Sequence, residues 1–503
     1  MQCTVKGVKS LNMSLNDQTP VLVGAGAVTQ REKDPLKSRE AVALMVEAAR
    51  RAAADAGGEE ILSRASSIRV TNGIWDYPNP AGILAERLGA TGARTELVEV
   101  GILQTTLLAD AAREIQNGSE EVSLIVGGEA KFRSLRAMIT GQTPEQTEQP
   151  ADEAPDRFRE PSREILNPLE LEYGLGMPVN QYALLESALR HGLGEGLEEN
   201  RRILGELYAG MSQVAAENPD AWVREALSAE EISEPSQSNR MLAYPYTKRH
   251  NSQWNVDQAA CLILCSLGVA RELGLAEDRF LFPLAAAESN HMASLVERGA
   301  LDRCFGFHFS GAAALEAAGL TIDEVDRFEL YSCFPVAVRS QMRELAVPAD
   351  RAVTQCGGMA YGGGPLNNFA FQGLVRMAHL LRAHPNEVGL VTAVSGMLTK
   401  QGVTLWSTKP PRGQFQFVDV SEAVAEQVPL YEVVERYDGP ATIAAVTVQF
   451  SGDAPVNAIF VCDLPEARRT LATSNDPALI DRAMHEELCG RQAVLAQNQL
   501  VLS

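Results

Sequence analysis

Internal repetition of one α/β module is the feature that most constrains the fold of this chain. Residues 21–28 (VLVGAGAV) predict a buried strand, and an Ala-rich helix follows at about 38–56 with apolar residues at helical spacing. The second half repeats this order, with FLFPLAAAES (280–289) as the strand and SGAAALEAAG (310–319) as the helix. Each helix is followed by a linker and another strand, so the two modules match in element order.

The repeat extends to a second helix and strand in each half. Residues 105–130 and residues 368–397 both have the pattern of a helix, a turn and an apolar strand. Each helix begins just after an unusual sequence, which is Gly101 in the first half and GGGPLNN (362–368) in the second. Chance likeness of Ala-rich segments is the alternative, but two modules with the same order and spacing favour duplication. We therefore predict a duplicated α/β fold whose halves face one shared pocket.

The remaining segments define the domain organisation, since a chain of 503 residues is too long for one core. We assign 17–130 and 246–275 to the first half and 276–410 to the second half. The polar, acidic stretch 131–245, with separate helical segments and Pro-rich breaks, is predicted to be an inserted loop domain. Residues 411–503 form an additional small domain.

Short β-rich runs dominate this C-terminal domain. Four of them follow one another at the spacing of a small antiparallel sheet or barrel. A last helix is predicted over 477–496.

Charge and composition exclude several classes of function. The net charge of −21 disfavours nucleic acid and anionic membranes as partners, because neutralising phosphates requires clustered Lys and Arg. No apolar run approaches the roughly 18–20 residues of a membrane span, and no signal peptide is evident, so we expect a cytoplasmic protein. The eight cysteines are scattered without a C-x-x-C pair, which predicts reduced thiols and no metal site.

The two special helix starts point to a chemistry. A helix N-terminus presents unpaired N–H groups and a partial positive charge, so it suits an anion or a developing oxyanion. Two such starts related by pseudo-symmetry suit acyl-thioester chemistry, in which a carbonyl oxygen gathers charge. The alternative is that the glycines simply make a tight turn before a buried helix.

Several motifs resemble the thiolase superfamily over about residues 17–410. They are GGMAYGGGPLNN (357–368), GLVTAVSGM (389–397), YSCFP (331–335), MLAYPYTK (241–248) and VDQAACLILCS (256–266). The likeness is closest to the sterol-carrier-type branch, and within it to type 1 thiolase-like proteins with an additional C-terminal β-barrel. The resemblance implies α-β-α-β-α layers, a C-terminal antiparallel barrel, and a coenzyme A (CoA) thioester of lipid metabolism as substrate or ligand, with an acyltransferase ancestry.

The residues that carry thiolase catalysis are missing from their expected places. The position of the nucleophilic cysteine is Gly101, that of the catalytic histidine is Gly364, and that of the second cysteine is Val394. Covalent acyl transfer needs a nucleophile, a base and an acid. Ordinary thiolysis or Claisen condensation is therefore not expected.

The loop that resembles H-D-C-F of sterol-carrier-type thiolases retains candidate catalytic groups. Tyr331 replaces the histidine and Cys333 is kept; Tyr331 is able to donate a hydrogen bond or, with a depressed pKa, to accept a proton. Asn367 and Asn368 at the second helix start are candidate amide donors. Each of these residues also has a purely structural interpretation. Tyr331 would be a packed ring, Cys333 a buried small side chain, and Asn367 and Asn368 helix caps.

Lys248 and Arg249 lie in the one basic, polar loop near the expected ligand groove. They are candidates for contacting a CoA phosphate, which needs a local basic patch in so acidic a chain, although a solvated loop is an equal interpretation. None of the seven histidines has metal-ligand spacing to another His, Cys or carboxylate.

Two functions remain open. The first resembles thiolase-fold retro-aldolases, which lack the nucleophile and carry a tyrosine in this loop; Tyr331 would then deprotonate a β-hydroxyacyl-CoA. The second is a non-catalytic acyl-CoA binder or scaffold. The resemblance allows either a monomer or a homodimer.

Overall fold

The computed structural model describes residues 15–502. The strands, in chain order, are β1 Pro20–Gln30, β2 Ser67–Thr71, β3 Arg94–Val98, β4 Val122–Ala130, β5 Arg157–Arg159, β6 Met241–Ala243, β7 Tyr246–Thr247, β8 Asp257–Ser266, β9 Phe282–Ser289, β10 Arg327–Glu329, β11 Val388–Ser395, β12 Lys400–Ser407, β13 Gln416–Asp419, β14 Glu432–Val433, β15 Gly439–Ser451, β16 Ala454–Leu464, β17 Arg468–Ser474, β18 Gln492–Ala496 and β19 Gln499–Val501. The helices are α1 Ala41–Ala56, α2 Glu60–Ser63, α3 Pro80–Leu88, α4 Gln104–Gln116, α5 Lys131–Thr140, α6 Pro168–Glu172, α7 Pro178–Leu193, α8 Leu197–Glu217, α9 Ala229–Ser233, α10 Leu267–Glu272, α11 Phe305–Ala318, α12 Pro335–Glu344, α13 Phe369–Ala383, α14 Ser421–Gln427 and α15 Pro477–His485.

The first half is built on a six-stranded sheet in the spatial order β1-β8-β4-β2-β3-β5. Strand β8 runs antiparallel to both β1 and β4, whereas β4, β2, β3 and β5 are parallel. Strands β1 and β8 are buried along almost their whole length, which explains their near-continuous apolar sequences. The strand predicted at 21–28 is confirmed.

Two glycines of β1 bring the Ala-rich helix α1 unusually close to this sheet. A side chain at Gly24 or Gly26 would collide with the α1 backbone at Ala52, since a Cβ on Gly24 would lie 3.0 Å from the carbonyl carbon of Ala52. The small residues of both elements therefore permit one close helix–strand contact.

The second half has a five-stranded sheet in the order β10-β11-β12-β9-β13. A central antiparallel group (β11, β12 and β9) is flanked by one parallel strand on each side, whereas the antiparallel group of the first sheet (β1, β8 and β4) lies at one edge. Helix α11 packs on β9 and β12, as α1 packs on β1 and β8.

Helices α4 and α13 lie between the two sheets. Helix α4 contacts β1 and β8 of the first sheet and β9 and β12 of the second, and α13 likewise contacts β8 and β11. Their apolar side chains share one buried cluster with strand residues of both halves, including Leu107, Ile115, Leu374, Leu264 and Val391. The molecule thus has five alternating layers, and the predicted duplicated α/β fold is confirmed.

The C-terminal sheet closes into a five-stranded barrel of β15, β16, β17, β19 and β18. All of its pairs are antiparallel except the closing pair of β17 and β19. The helix predicted over 477–496 is wrong in its second part, because α15 ends at His485 and residues 492–496 are strand β18. The backbone is already extended at Glu486 (φ −122°, ψ 151°), and QAVLA alternates exposed and buried residues with the period of a strand.

Strand pairing bears on the proposed domain boundaries. Strand β13 lies within the proposed domain 411–503 but pairs with β9 of the second half. Strand β6, from the proposed insertion 131–245, pairs with β15 at Ala243 and Gln449. We therefore propose to move the start of the C-terminal domain to the residues after Asp419.

The insertion also supplies β5, which pairs in parallel with β3 and is the outermost strand of the first sheet. The Nε of Arg159 on β5 lies 2.7 Å from a carboxylate oxygen of Glu96 on β3, so side chains reinforce this pairing. No helix within residues 15–502 is long and apolar enough to cross a membrane.

Candidate functional site

The starts of α4 and α13 are in direct contact. Gln104, the first residue of α4, donates its side-chain amide to the backbone oxygen of Asn367 at 3.0 Å and to its Oδ1 at 2.7 Å. All three groups are buried. The two pseudo-symmetric helix starts therefore meet in the folded protein.

The position expected for a nucleophile, Gly101, has no room for a side chain. Its φ is +114°, a conformation that L-residues rarely adopt. A Cβ at Gly101 would lie 2.7 Å from Cγ of Pro161, which belongs to the insertion. The carbonyl of Gly101 accepts a hydrogen bond from Nζ of Lys400 at 2.5 Å. The insertion thus fills the space where a nucleophile would point.

The position expected for a catalytic base, Gly364, is filled in another way. A Cβ at Gly364 would overlap Oγ of Ser252. Ser252 is held there by its backbone N–H, which donates to the carbonyl of Cys333 at 3.2 Å. The backbone N–H of Gly364 in turn donates to the carbonyl of Gln253 at 2.9 Å.

The third expected position, Val394, is buried in β11, where it pairs with Gln401 of β12. It contributes an apolar side chain and no acid–base group. None of the three residues expected at these positions from the resemblance, Gly101, Gly364 and Val394, has a side chain that could serve as acid, base or nucleophile.

Tyr331 lies beside the start of α13. Its ring meets the ring of Phe369 edge to face at 5.8 Å, and its backbone N–H donates to Oγ1 of Thr392 at 2.8 Å. Burial, and secondarily the neighbouring Cys333 thiol, raises the pKa of Tyr331 above its ordinary value. Tyr331 is therefore a neutral phenol that can donate a hydrogen bond, and its pKa is displaced away from the range of a general base.

Cys333 is buried among aromatic side chains. Burial raises the pKa of its thiol to about 12, and the Tyr182 hydroxyl that hydrogen-bonds to it opposes this shift only in part. The ring of Tyr182 is stacked on Phe334 at 4.5 Å. Cys333 is accordingly a protonated thiol in an apolar environment.

Asn367 and Asn368 have uncommitted polar atoms. Nδ2 of both side chains, and also Oδ1 of Asn368, are buried without a hydrogen-bond partner among the described residues. Oδ1 of Asn368 lies close to Gly127, where a Cβ would come within 2.6 Å of it. Buried amides without partners are costly, so these groups are the strongest candidates for contacting a ligand.

Lys248 and Arg249 lie in a single 3₁₀ turn, Lys248–His250. Lys248 is exposed, whereas Arg249 is held by the insertion: its Nη1 donates to the carbonyl of Glu231 at 2.7 Å, and its N–H to Oδ1 of Asn239 at 2.9 Å. The carbonyl of Arg249 accepts from the Tyr361 hydroxyl at 3.4 Å, which links the turn to the glycine-rich segment before α13.

The residues that fill the site were not singled out from sequence. Ser252 lies in the basic, polar loop that contains Lys248 and Arg249. A serine in such a loop gives no indication from sequence that it contacts Gly364. Pro161 and Lys400 reach Gly101 from 60 and 299 positions away along the chain, and no local periodicity reports such a contact. Within residues 15–502, no group of three or more His, Cys, Asp or Glu side chains is placed to hold a metal ion.

Comparison with known proteins defines the class of this fold. Residues 419–499 match the family model of the thiolase-like protein type 1 additional C-terminal domain. No curated protein matches the chain. Human mitochondrial 3-ketoacyl-CoA thiolase in complex with CoA superposes with a TM-score of 0.54 at 15% identity, covering 77% of this chain and 97% of that one. The chain therefore has the thiolase-like fold with an additional C-terminal domain.

One solved structure resembles nearly the whole chain, and a second resembles most of it. The monomeric SCP2-thiolase-like protein type 1 from Mycobacterium smegmatis is 26% identical, with a TM-score of 0.81, and the match covers 97% of this chain and 100% of that one. The Ltp2-ChsH2(DUF35) aldolase is 20% identical, with a TM-score of 0.60, covering 78% of this chain and 98% of that one. The resemblance to type 1 thiolase-like proteins predicted from sequence is confirmed.

Proposed function

We propose that this protein binds a CoA thioester at the facing starts of α4 and α13 and forms no acyl-enzyme intermediate. The observation that carries the proposal is the filling of both catalytic positions, Gly101 by Pro161 and Gly364 by Ser252. A related fold, the human mitochondrial thiolase, has been solved in complex with CoA.

The ligand contacts would come from the helix starts. The unpartnered Nδ2 groups of Asn367 and Asn368 are suited to the thioester oxygen, and the neutral Tyr331 hydroxyl can add a third donor. The exposed Lys248 is proposed to meet a CoA phosphate; the neighbouring Arg249 is linked to the glycine-rich segment before α13 through Tyr361.

Calorimetry with acetyl-CoA and with free CoA tests this function. We expect acetyl-CoA to bind, no thiolysis of acetoacetyl-CoA, and no acyl adduct by mass spectrometry. Asn368→Ala should weaken acetyl-CoA binding by about 5–50-fold, the usual effect of a buried donor, whereas the exposed Asn117→Ala should not. Absence of binding to the wild-type protein would overturn the proposal, and so would a covalent acyl adduct.

A second candidate is retro-aldol cleavage of a β-hydroxyacyl-CoA, favoured by the place of Tyr331 beside the start of α13. Loss of the β-hydroxyl proton to Tyr331 would break the Cα–Cβ bond, release an aldehyde or ketone, and leave an enolate that takes up a proton to give the shortened acyl-CoA. The raised pKa of Tyr331 disfavours its phenolate and places this function second. Carbonyl release by the wild type that is abolished in Tyr331→Phe would establish it; acyl-CoA binding without release would exclude it.

We further propose a cytoplasmic monomer. All seven cysteines of the described residues are buried and none forms a disulfide, as is usual for a reducing compartment. The monomer is supported by β5, which covers the edge of β3 from within the chain. Light scattering across a hundredfold range of concentration should give one protomer mass, and a concentration-dependent dimer would contradict the proposal.

A further inference from the structure

A half-open cavity of about 270 Å³ lies beside the start of α4, on the side of Gly101 that Pro161 covers. Its wall comes from the first turn of α4, the end of β9, the first residue of β12 and the segment that follows β5. Tyr331, Cys333, Asn367 and Asn368 do not line it. The cavity is therefore separate from the site proposed for the CoA thioester.

Lys400 is a buried ammonium on this wall. It is only 5% exposed, and it is the one buried lysine among the described residues. Its Nζ donates to the carbonyl of Gly101 at 2.5 Å, but no carboxylate oxygen of residues 15–502 lies within the 4.0 Å of a salt bridge. Two of its three N–H donors have no protein acceptor within hydrogen-bond distance in the described residues.

Glu288 is the matching buried carboxyl. It is 2% exposed and accepts hydrogen bonds from Oγ1 of Thr106 at 2.9 Å and from Nδ2 of Asn290 at 2.8 Å. No cationic nitrogen of the described residues lies within 4.0 Å of it. Burial raises the pKa of Glu288 to about 7, and the charge of Lys400 opposes this shift only in part.

A buried ammonium and a buried carboxyl with a pKa of about 7 thus share one cavity without forming a salt bridge. Burying a charge is costly unless it is paired and hydrogen-bonded, so a direct ion pair would be the lower-energy arrangement if the cavity had no other use. A ligand that bridges the two groups would satisfy both. It needs an anionic oxygen for Lys400 and a hydroxyl that can donate to Glu288.

The rest of the lining favours the same kind of ligand. Arg163 stands exposed at the cavity, with Nη1 on the carbonyl of Met292 at 2.9 Å and Nη2 3.4 Å from a carboxylate oxygen of Glu297, which offsets part of its positive charge. Ile102, Pro161 and Met292 provide apolar surface for a short carbon chain. Asp419 is an exposed carboxylate near both buried groups, and it limits the anionic charge that the cavity can accept.

We propose that this cavity binds a small hydroxycarboxylate, with its carboxylate on Lys400 and its hydroxyl on Glu288. The cavity is slightly smaller than the roughly 300–1,000 Å³ typical of drug-sized ligands, which restricts it to a short acid. The ligand requires both functional groups, and this double requirement distinguishes the site from a general anion site.

Calorimetry with three matched compounds tests the proposal on the full-length protein. 3-Hydroxybutyrate has both groups, butyrate lacks the hydroxyl, and methyl 3-hydroxybutyrate lacks the charge. We expect 3-hydroxybutyrate to bind, butyrate to bind at least about 5-fold more weakly, and the ester not to bind. Failure of 3-hydroxybutyrate to bind at millimolar concentration would overturn the proposal, as would equal binding of butyrate.

Variants of Lys400 and Glu288 test whether 3-hydroxybutyrate binds in this cavity. Lys400→Met keeps the length of the side chain without its charge and should weaken 3-hydroxybutyrate binding at least about 10-fold, whereas the exposed Lys409→Met should not change it. Glu288→Gln should reduce the preference for 3-hydroxybutyrate over butyrate, and it serves as the second variant if Lys400→Met does not fold. Unchanged binding in both Lys400→Met and Glu288→Gln would place the acid elsewhere and overturn the proposal. Acetyl-CoA binding should persist in both variants, so the result does not depend on the function proposed above.

Discussion

The starts of α4 and α13 occupy equivalent places in the two halves, yet they are closed in different ways. At Gly101 the obstacle is the rigid ring of Pro161, and the backbone itself has a φ of +114°. At Gly364 the obstacle is the hydroxyl of Ser252, a side chain that can rotate, and the φ of Gly364 is not in the left-handed region. At Gly101, a side chain is therefore excluded by the backbone conformation together with a proline ring. At Gly364, it is excluded chiefly by the hydroxyl of Ser252. The difference predicts unequal tolerance to substitution.

The largest effect is expected at the first of these positions. Gly101→Ala should lower the free energy of unfolding by about 2–5 kcal/mol, because a positive φ costs roughly 1–2 kcal/mol and overpacking against Pro161 about 1–3 kcal/mol. Denaturant unfolding measures the loss. Adding Pro161→Ala should recover only part of it, since the strain in φ remains; full recovery would show that the backbone conformation is not strained.

The free energy of unfolding should change with pH by an amount on the order of 1–3 kcal/mol through Glu288. This carboxyl accepts a hydrogen bond from Thr106 of α4. Burial holds the folded-state pKa of Glu288 at about 7, above the value of about 4.3 in an unfolded chain. The folded state therefore binds the proton more tightly, and this contribution to stability is present below the unfolded pKa and is lost as pH rises through about 7.

Glu288→Gln cannot ionise, so its stability should fall less than that of the wild type between about pH 5 and 7. Thermal unfolding midpoints across this range provide the comparison. Glu422→Gln, at an exposed carboxylate of α14, serves as the control and should follow the wild type. Parallel pH profiles for Glu288→Gln and the wild type would show that Glu288 does not have a raised pKa in the folded state.

Gly364→Ala should have a smaller effect, about 1–2 kcal/mol, because the side chains that must yield, Ser252 by its Oγ and Met359 by its Cε at 3.3 Å, are flexible. The double variant with Ser252→Ala should regain nearly all of this loss, in contrast to the first position. If both pairs regained stability to the same extent, the two closures would be equivalent and the comparison would fail.

The smallest effect concerns the link between the two starts. A double-mutant cycle with Gln104→Ala and Asn367→Ala should give a coupling energy of about 0.5–1.5 kcal/mol, the usual net value of a hydrogen bond. Additive losses would mean that the bond from Gln104 to Asn367 does not contribute to stability.

The sequence predicted the parts of the fold that are periodic and repeated. Strand β1, helix α1 and their second-half counterparts β9 and α11 were located because their apolar residues recur at strand or helix spacing and the same order occurs twice. The second part of the segment 477–496 was misassigned, because a strand of five residues offers too few positions to separate its period from that of a helix.

For the site, the sequence predicted only which positions would be involved and not which side chains would occupy the space around them. The repeat indicated that the starts of α4 and α13 would meet, and the resemblance indicated which residues would be missing. What fills Gly101 and Gly364 depends on contacts between distant and irregular segments, which have no periodic signature. The shared cavity of Lys400 and Glu288 could not be predicted for the same reason, since neither residue belongs to a motif.

The strand that the insertion lends to the first sheet has a consequence for assembly. An edge strand covered by a second subunit is exposed again whenever dilution separates the subunits, so the stability of such an assembly depends on protein concentration. Here the covering strand, β5, is tethered to the strand it covers by the same polypeptide. β3 therefore stays paired at any dilution, and the outer edge of the sheet is reduced to the three-residue β5, whose shortness limits pairing with another chain.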